Sequence, residues 1–310
     1  MAQPQKWINE KGNAPVTGVA LRSLQSRLAA VQHYLPLAAL NYQDDIEYIH
    51  RLRIWIRRAD AAFDTYGELL PELRAAWIVK QLRRIRRATN EARDADVFAL
   101  RLSTDKSSTA ASLLKHVREH RRVTQQPVVE VYERLTRHSG RFGRRIKKLL
   151  KRVRLRGTRS KSKEPTYREW AVEHLRPLFE NFLEAGAGDL ENTERLHQFR
   201  IAGKKLRYAT ELLSGAFDSR LRDVTYEFLE TLQDKLGTIN DHASALTRIS
   251  NWNDENGNEE RHRYLAEMRC DEQKQLDLAR QHFTEWWSVE QQTKTRAAFQ
   301  ETLNAVSDLK

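Results

Sequence analysis

Cys270 is the only cysteine in this chain of 310 residues. A lone thiol excludes an intramolecular disulfide and a site built from paired cysteines, and it fits a reducing compartment. Glycine and proline are scarce too, with 12 and 7, which suits helices better than a turn-rich sheet. Strand patterns of alternating apolar residues are absent. No apolar run approaches the ~18 residues that a membrane span needs, and the opening MAQPQKWINEKGNAPVTG lacks the hydrophobic stretch of a signal peptide. A Gly-rich phosphate loop, a His-Glu-x-x-His pair and a metal cluster are missing as well. The expectation is a cytoplasmic helical protein that holds no cofactor or metal and is not an enzyme.

What the chain has in excess is positive charge. It carries 54 Lys+Arg against 42 Asp+Glu, a formal net charge of +12. That excess is uneven: residues 1–165 hold 35 basic and 16 acidic side chains, whereas 166–310 hold 19 and 26. Such a field favours polyanions on the first half and can draw the halves together.

The cations recur in register. Residues 50–58 read HRLRIWIRR and residues 197–205 read HQFRIAGKK, both of the form His-x-x-Arg-Ile-x-x-[Arg/Lys]-[Arg/Lys], offset by 147. The same offset carries Arg93-Asp94 onto Asn240-Asp241. Two copies of one helical unit follow. Apolar spacing from about Thr17 predicts helices to Leu35, from Gln43 to Tyr66, and from Pro71 onward with a break at Asn90. Gly237 lies at the matching position, and Asn and Gly both tolerate a left-handed turn there. A long helical region covers 109–155, with interruptions expected at Pro127 and near Ser139-Gly140. The second unit repeats the order near 167–185, 191–215, 220–250 and 258–287. The reading is all-α: a lead-in 1–16, a first four-helix unit 17–155, a linker 156–166, a second unit 167–290 and a frayed tail 291–310.

On a helical wheel, His50, Arg53 and Arg57 fall together beside the apolar arc of Ile49, Leu52 and Ile56. His197, Arg200, Lys204 and Arg207 do the same in the second copy. Successive cations sit about one turn apart, roughly 5–6 Å, near the repeat distance of neighbouring phosphates in a chain. Like charges so close repel unless anions lie between them, and a solvated face has no need to repeat them.

These motifs resemble the CHAD domain, the conserved histidine α-helical domain. Arg207-Tyr208-Ala209-Thr210-Glu211, Arg93-Asp94-Ala95-Asp96 and the run Leu232 to Asp241 are similar to further elements of that family, and the match spans roughly residues 17–290. The resemblance implies two four-helix bundles related by a pseudo-twofold, a basic channel between them, and non-catalytic binding of inorganic polyphosphate. Polyphosphate-metabolising enzymes and granule proteins are the further partners it implies, and polyphosphate granules the place. The contacts it implies are His50, Arg53, Arg57 and Arg58, with His197, Arg200, Lys204, Lys205 and Arg207. A histidine among phosphates is expected to be protonated and to donate.

Two departures stand out. Asp60 occupies the position of Arg207, and the third-helix row Lys80, Arg83 and Arg87 corresponds at the same offset to Glu227, Glu230 and Asp234. A ligand path biased to the first half is expected, with Lys80, Arg83 and Arg87 added to the site; equally, the acids could neutralise nearby arginines. Asp94 and Asp241 are read as orienting arginines or capping helices rather than as catalysts. His116 and His120 lie among cations that disfavour a metal. Residues 141–163 hold twelve basic residues and no acid. An auxiliary polyanion surface, a nucleic-acid patch and a membrane-lying helix compete there, and we favour the first. The seven tryptophans are read as mostly core. RNA or DNA on the same basic faces is the alternative to polyphosphate, although those faces offer few aromatics for stacking.

Overall fold

A helix that buries one stripe needs partners on that stripe, and the chain supplies them by folding back repeatedly. The computed structural model describes residues 5–157, 164–252 and 259–304, without the side chains at 138–139 and 156–157. Among these residues every regular element is helical, and extended backbone pairs only at an isolated bridge between Pro15 and Thr166. Helix α1 (Val16–Leu40) buries Val19, Leu24, Leu28, Val31 and Leu35 against α2 (Glu47–Thr65) and α6 (Gln126–Gly157). A short turn at Gly67–Leu69 leads through Pro71 into α3 (Glu72–Ala88). Helices α4 (Asn90–Leu102) and α5 (Ser108–Val123) follow. Most of the expected linker 156–166 lies outside the described residues, and after it come α7 (Tyr167–Gly186), α8 (Thr193–Leu213), a π-helical turn Leu221–Tyr226, α9 (Glu227–Asn251), α10 (Glu259–Trp286) and α11 (Val289–Asn304).

Helix starts carry recognisable caps. Thr166 and Glu169 form a reciprocal capping box on α7, and Asn192 accepts from the backbone of Glu194 and Arg195 at the start of α8. The break before Asn90 is made differently from the left-handed turn expected. Thr89 keeps a right-handed backbone (φ −93°, ψ 1°), and its hydroxyl donates to the carbonyls of Ile85 and Arg86. Gly237 lies inside an unbroken α9. The positive φ is found instead at Gly140 (74°), within α6. The long fourth region divides at Thr124-Gln125, where the Gln125 amide donates to the carbonyls of Ala38 and Ala39 at the end of α1.

Two expectations are revised. The lead-in from residue 5 on is docked rather than loose: Ile8 is buried, the Trp7 ring packs edge-on against Tyr226 at 4.6 Å, and Lys6 pairs with Glu230 at 2.8 Å. The tail from 291 is helical to Asn304, because Phe299 stacks on Phe179 of α7 with ring centroids 3.8 Å apart. Of the tryptophans, Trp55, Trp170 and Trp287 are buried, while Trp7, Trp77, Trp252 and Trp286 are half-buried.

The apolar side chains do not sort into one cluster per half. The main core joins α1, α2, α3 and α6 to α7, α8, α9 and α11. A smaller core of Phe98, Leu102, Leu113, Val117, Ile249 and Leu265 joins α4 and α5 to α9 and α10. Element ends keep the offset: the residues 147 positions beyond Glu47 and Thr65 both fall within α8.

Candidate anion site

The two His-Arg helices, α2 and α8, pack side by side and are fastened by a buried carboxylate. Glu211, 1% exposed, accepts from Arg58 of α2 at 2.7 Å, from Arg207 of its own helix at 3.0 Å and from the Tyr226 hydroxyl at 2.8 Å. A carboxylate out of water is tolerable only with partners of this kind. The opposite sense is also present: Lys205 of α8 acts on Asp64 of α2, although burial dominates and holds that carboxyl above its usual range.

Between these helices, α3 and α7 lies a cleft of about 800 Å³. Arg57, Arg86, Arg200, Lys204 and Lys205 supply its cations, and Asp60, Asp64, Glu68 and Glu173 line it too. Thr65, His174 and Tyr208 complete the polar lining. The charges do not simply cancel. Among the described residues, no acidic side chain lies within ion-pair distance of Arg57, Arg200 or Lys204. Burial pushes the Lys204 ammonium down to about 7, and Arg200, Arg57 and Arg207 push the same way. Arg200 is also lowered by burial, against the pull of Asp241, and its Nε has no hydrogen-bond partner. Three cations share one half-buried wall, and Asp241 acts on Arg200 and Lys204 only from beyond ion-pair distance. On the other wall, burial raises Asp60 to about 6, opposed by Arg86 at 4.0 Å. A protonated carboxyl there would leave the cleft more positive still.

The structure gathers Arg57, Arg200, Lys204 and Lys205 into the cleft and distributes the other candidates elsewhere. Arg58 and Arg207 are held by Glu211. Arg53 is pinned to the α3–α4 break: its Nη1 donates to the carbonyl of Arg86 (3.0 Å), to Thr89 Oγ1 (3.1 Å) and to Asn90 Oδ1 (2.7 Å). Burial, then Arg57, lowers its guanidinium to about 10. His50 is half-buried, and burial with Arg93 depresses it below the usual histidine range. His197 is exposed on α8. Lys80, Arg83 and Arg87 lie exposed on α3, outside the cleft, although Arg83 is close enough to act on Asp60 and Asp64.

Several contributors escaped the sequence reading. Arg86 enters the cleft from the flank of α3 that meets α2, a flank the wheel of Lys80, Arg83 and Arg87 left aside. His174 is placed by stacking on Trp170 at 4.1 Å and by a 3.0 Å bond between its Nδ1 and that residue's carbonyl. Nothing in its spacing announced it. Glu211 did carry a signal, since it closes the quoted Arg-Tyr-x-x-Glu run. Asp94 lies 3.5 Å from Arg248 and favours the charged form of Arg53, as Asp241 does for Arg200. Among the described residues no group of three or more His, Cys, Asp or Glu side chains is placed to hold a metal ion. The exposed His120 packs edge-on against Trp252 at 5.3 Å. No described helix is long and apolar enough to cross a membrane.

The solved structures that share this fold include the following two. The crystal structure of the CHAD domain from the plant Ricinus communis superposes with a TM-score of 0.62 at 18% identity, covering 100% of this chain and 96% of that one. PptA from Streptomyces chartreusis gives 0.51 at 18% identity, covering 88% and 99%. At that identity the likeness concerns the fold alone. No curated protein sequence matches the chain. The CHAD domain profile, in contrast, matches residues 22–250, most of its length. The chain belongs to the CHAD domain family.

Proposed function

We propose that this protein binds inorganic polyphosphate, without catalysis, and that the cleft between α2 and α8 is where the phosphates sit. The observation that carries this is the wall of Arg57, Arg200 and Lys204: no acid lies within ion-pair distance of any of the three among the described residues, and burial first, then Arg200 and Arg57, bring Lys204 down to about 7. Such a wall is relieved by a dense anion between its charges. Arginine offers forked donors to phosphate oxygens, and lysine a compact point charge. The basic channel of this reading is the cleft continued along the cation row of α2, with Arg57 as the junction. His50 stands at its far end, where its ring nitrogens offer hydrogen bonds to phosphate. On this reading the protein works in the cytoplasm, at polyphosphate granules or beside polyphosphate-metabolising enzymes.

Each charged hydrogen bond to phosphate is worth about 1.5–3 kcal/mol. Arg57→Glu with Lys204→Glu is therefore expected to weaken binding of tripolyphosphate and long-chain polyphosphate by at least ~100-fold in a fluorescence titration at physiological salt. Unchanged affinity would refute the cleft. Displacement of labelled polyphosphate by RNA or DNA at matched phosphate would move the reading to nucleic acid.

A further inference from the structure

Outside the cleft, the largest concentration of unpaired charge is on α3 and α6. From Leu73 to Ala88 and from Arg134 to Gly157 neither helix contains an acid. The apolar stripe of α6 (Phe142, Ile146, Leu149, Val153) is buried in the main core, so it is not free to lie in a membrane. Its cations point elsewhere. On a wheel, Arg141, Arg145, Lys148 and Arg152 share one flank, about a quarter-turn from the buried stripe. The structure fixes which flank that is: Arg141 and Arg145 lie 5.7 and 4.9 Å from the ring centre of Trp77, on α3. Trp77 in turn begins the α3 surface that runs through Lys80 and Arg83 round to Arg86, and Arg86 lines the cleft. The cations of α3 thus cross the outward face of that helix from the α2 side to the α6 side.

We infer that this surface is a second track for the same ligand, on which a polyphosphate chain leaving the cleft past Arg86 crosses α3 and continues along α6. The proposal rests on the cleft reading and adds chain-length selectivity to it. Its physical basis is continuity and charge. Arg86 to Trp77 covers about 14 Å along α3, and Arg141 to Arg152 about 16 Å along α6. Among the described residues no acid pairs with Lys80, Arg83, Arg141, Arg145, Lys148 or Arg152. A solvated basic face would gain from interleaved acids, and this one has none over two packed helices. A flexible, linear anion suits the path because it must turn from the cleft over a helix. Tripolyphosphate is too short to reach α6, so the track acts on long chains alone.

The test is the triple variant Lys80→Glu, Lys148→Glu, Arg152→Glu, all exposed positions, titrated with tripolyphosphate and with long-chain polyphosphate at physiological salt. Long-chain affinity is expected to fall about tenfold or more, with a shallower dependence on salt. Tripolyphosphate affinity should stay within about twofold, since no residue that holds it has changed. The Lys80→Gln, Lys148→Gln, Arg152→Gln variant should shift long-chain binding in the same direction by less, which covers the case where three reversals disturb folding. An unchanged long-chain affinity overturns the track. So does an equal loss for both ligands, which marks a general field, or a loss confined to RNA. Failure of the cleft itself reads differently: the Arg57→Glu, Lys204→Glu variant would then keep its tripolyphosphate affinity.

Discussion

At the scale of the residue, Lys204 converts position into a pH dependence. Its folded pKa is lowered from 10.5 to about 7, by burial first and by Arg200, Arg57 and Arg207 after it. The sign follows from linkage. Below about pH 7 the folded protein carries the full penalty of holding the ammonium among other cations. Between there and 10.5 the folded state sheds that proton while the unfolded state keeps it, so the unliganded protein gains stability as pH rises. A phosphate bound beside Lys204 restores the proton. Affinity for tripolyphosphate is therefore expected to decline from about pH 7 to about pH 9 in wild type, and to stay nearly flat in Lys204→Arg. Superimposable profiles would remove Lys204 from the site. Asp60, raised to about 6 on the facing wall, adds in the same direction, because it gains negative charge as pH rises through that value.

Helices α2 and α8 make the case at the scale of the element. Glu211 holds Arg58 and Arg207 together, so Glu211→Ala leaves two half-buried cations without their carboxylate. Losing one member of a buried pair costs about 3–5 kcal/mol, and a urea midpoint should show that loss; a change under about 1 kcal/mol would mean that water replaces the carboxylate. The existence of both helices was legible because apolar residues recur every three or four positions. The residues that line the cleft on α8 were legible because the motif repeats. What was hidden had no local pattern. Arg53 looked like Arg57 on the wheel, but the α3–α4 break brings the carbonyl of Arg86 and two side-chain oxygens within its reach. The turn at Thr89 was placed within a residue, but its right-handed geometry depends on a hydroxyl capturing carbonyls, which makes a left-handed residue unnecessary. Helix α11 is helical because Phe299 finds Phe179, more than a hundred positions earlier.

At the scale of the whole molecule, charge and packing both ignore the linker. The first half brings most of the cations, and Glu230 of the second half is neutralised by Lys6 of the lead-in. Arg222 likewise donates to the Ile8 carbonyl and to Asn9, while Arg27, buried and lowered to about 10, donates to the carbonyl of Lys6. Residues 5–15 thus sit between α1 and the start of α9. Ile8→Ala is expected to cost about 2–4 kcal/mol, as large as a change in the centre of the core, and thermal melting checks it. A loss near zero would show the lead-in to be only resting on the surface.

The same docking has a consequence during synthesis. Trp7 needs Tyr226, and Lys6 needs Glu230. More than two hundred residues must emerge between the first of each pair and the second, at about 5–20 residues per second. Residues 6 and 7 are therefore made long before their partners and cannot take their places until those emerge, and until then the basic first half meets the polyanions around it without the acidic half that partly balances it.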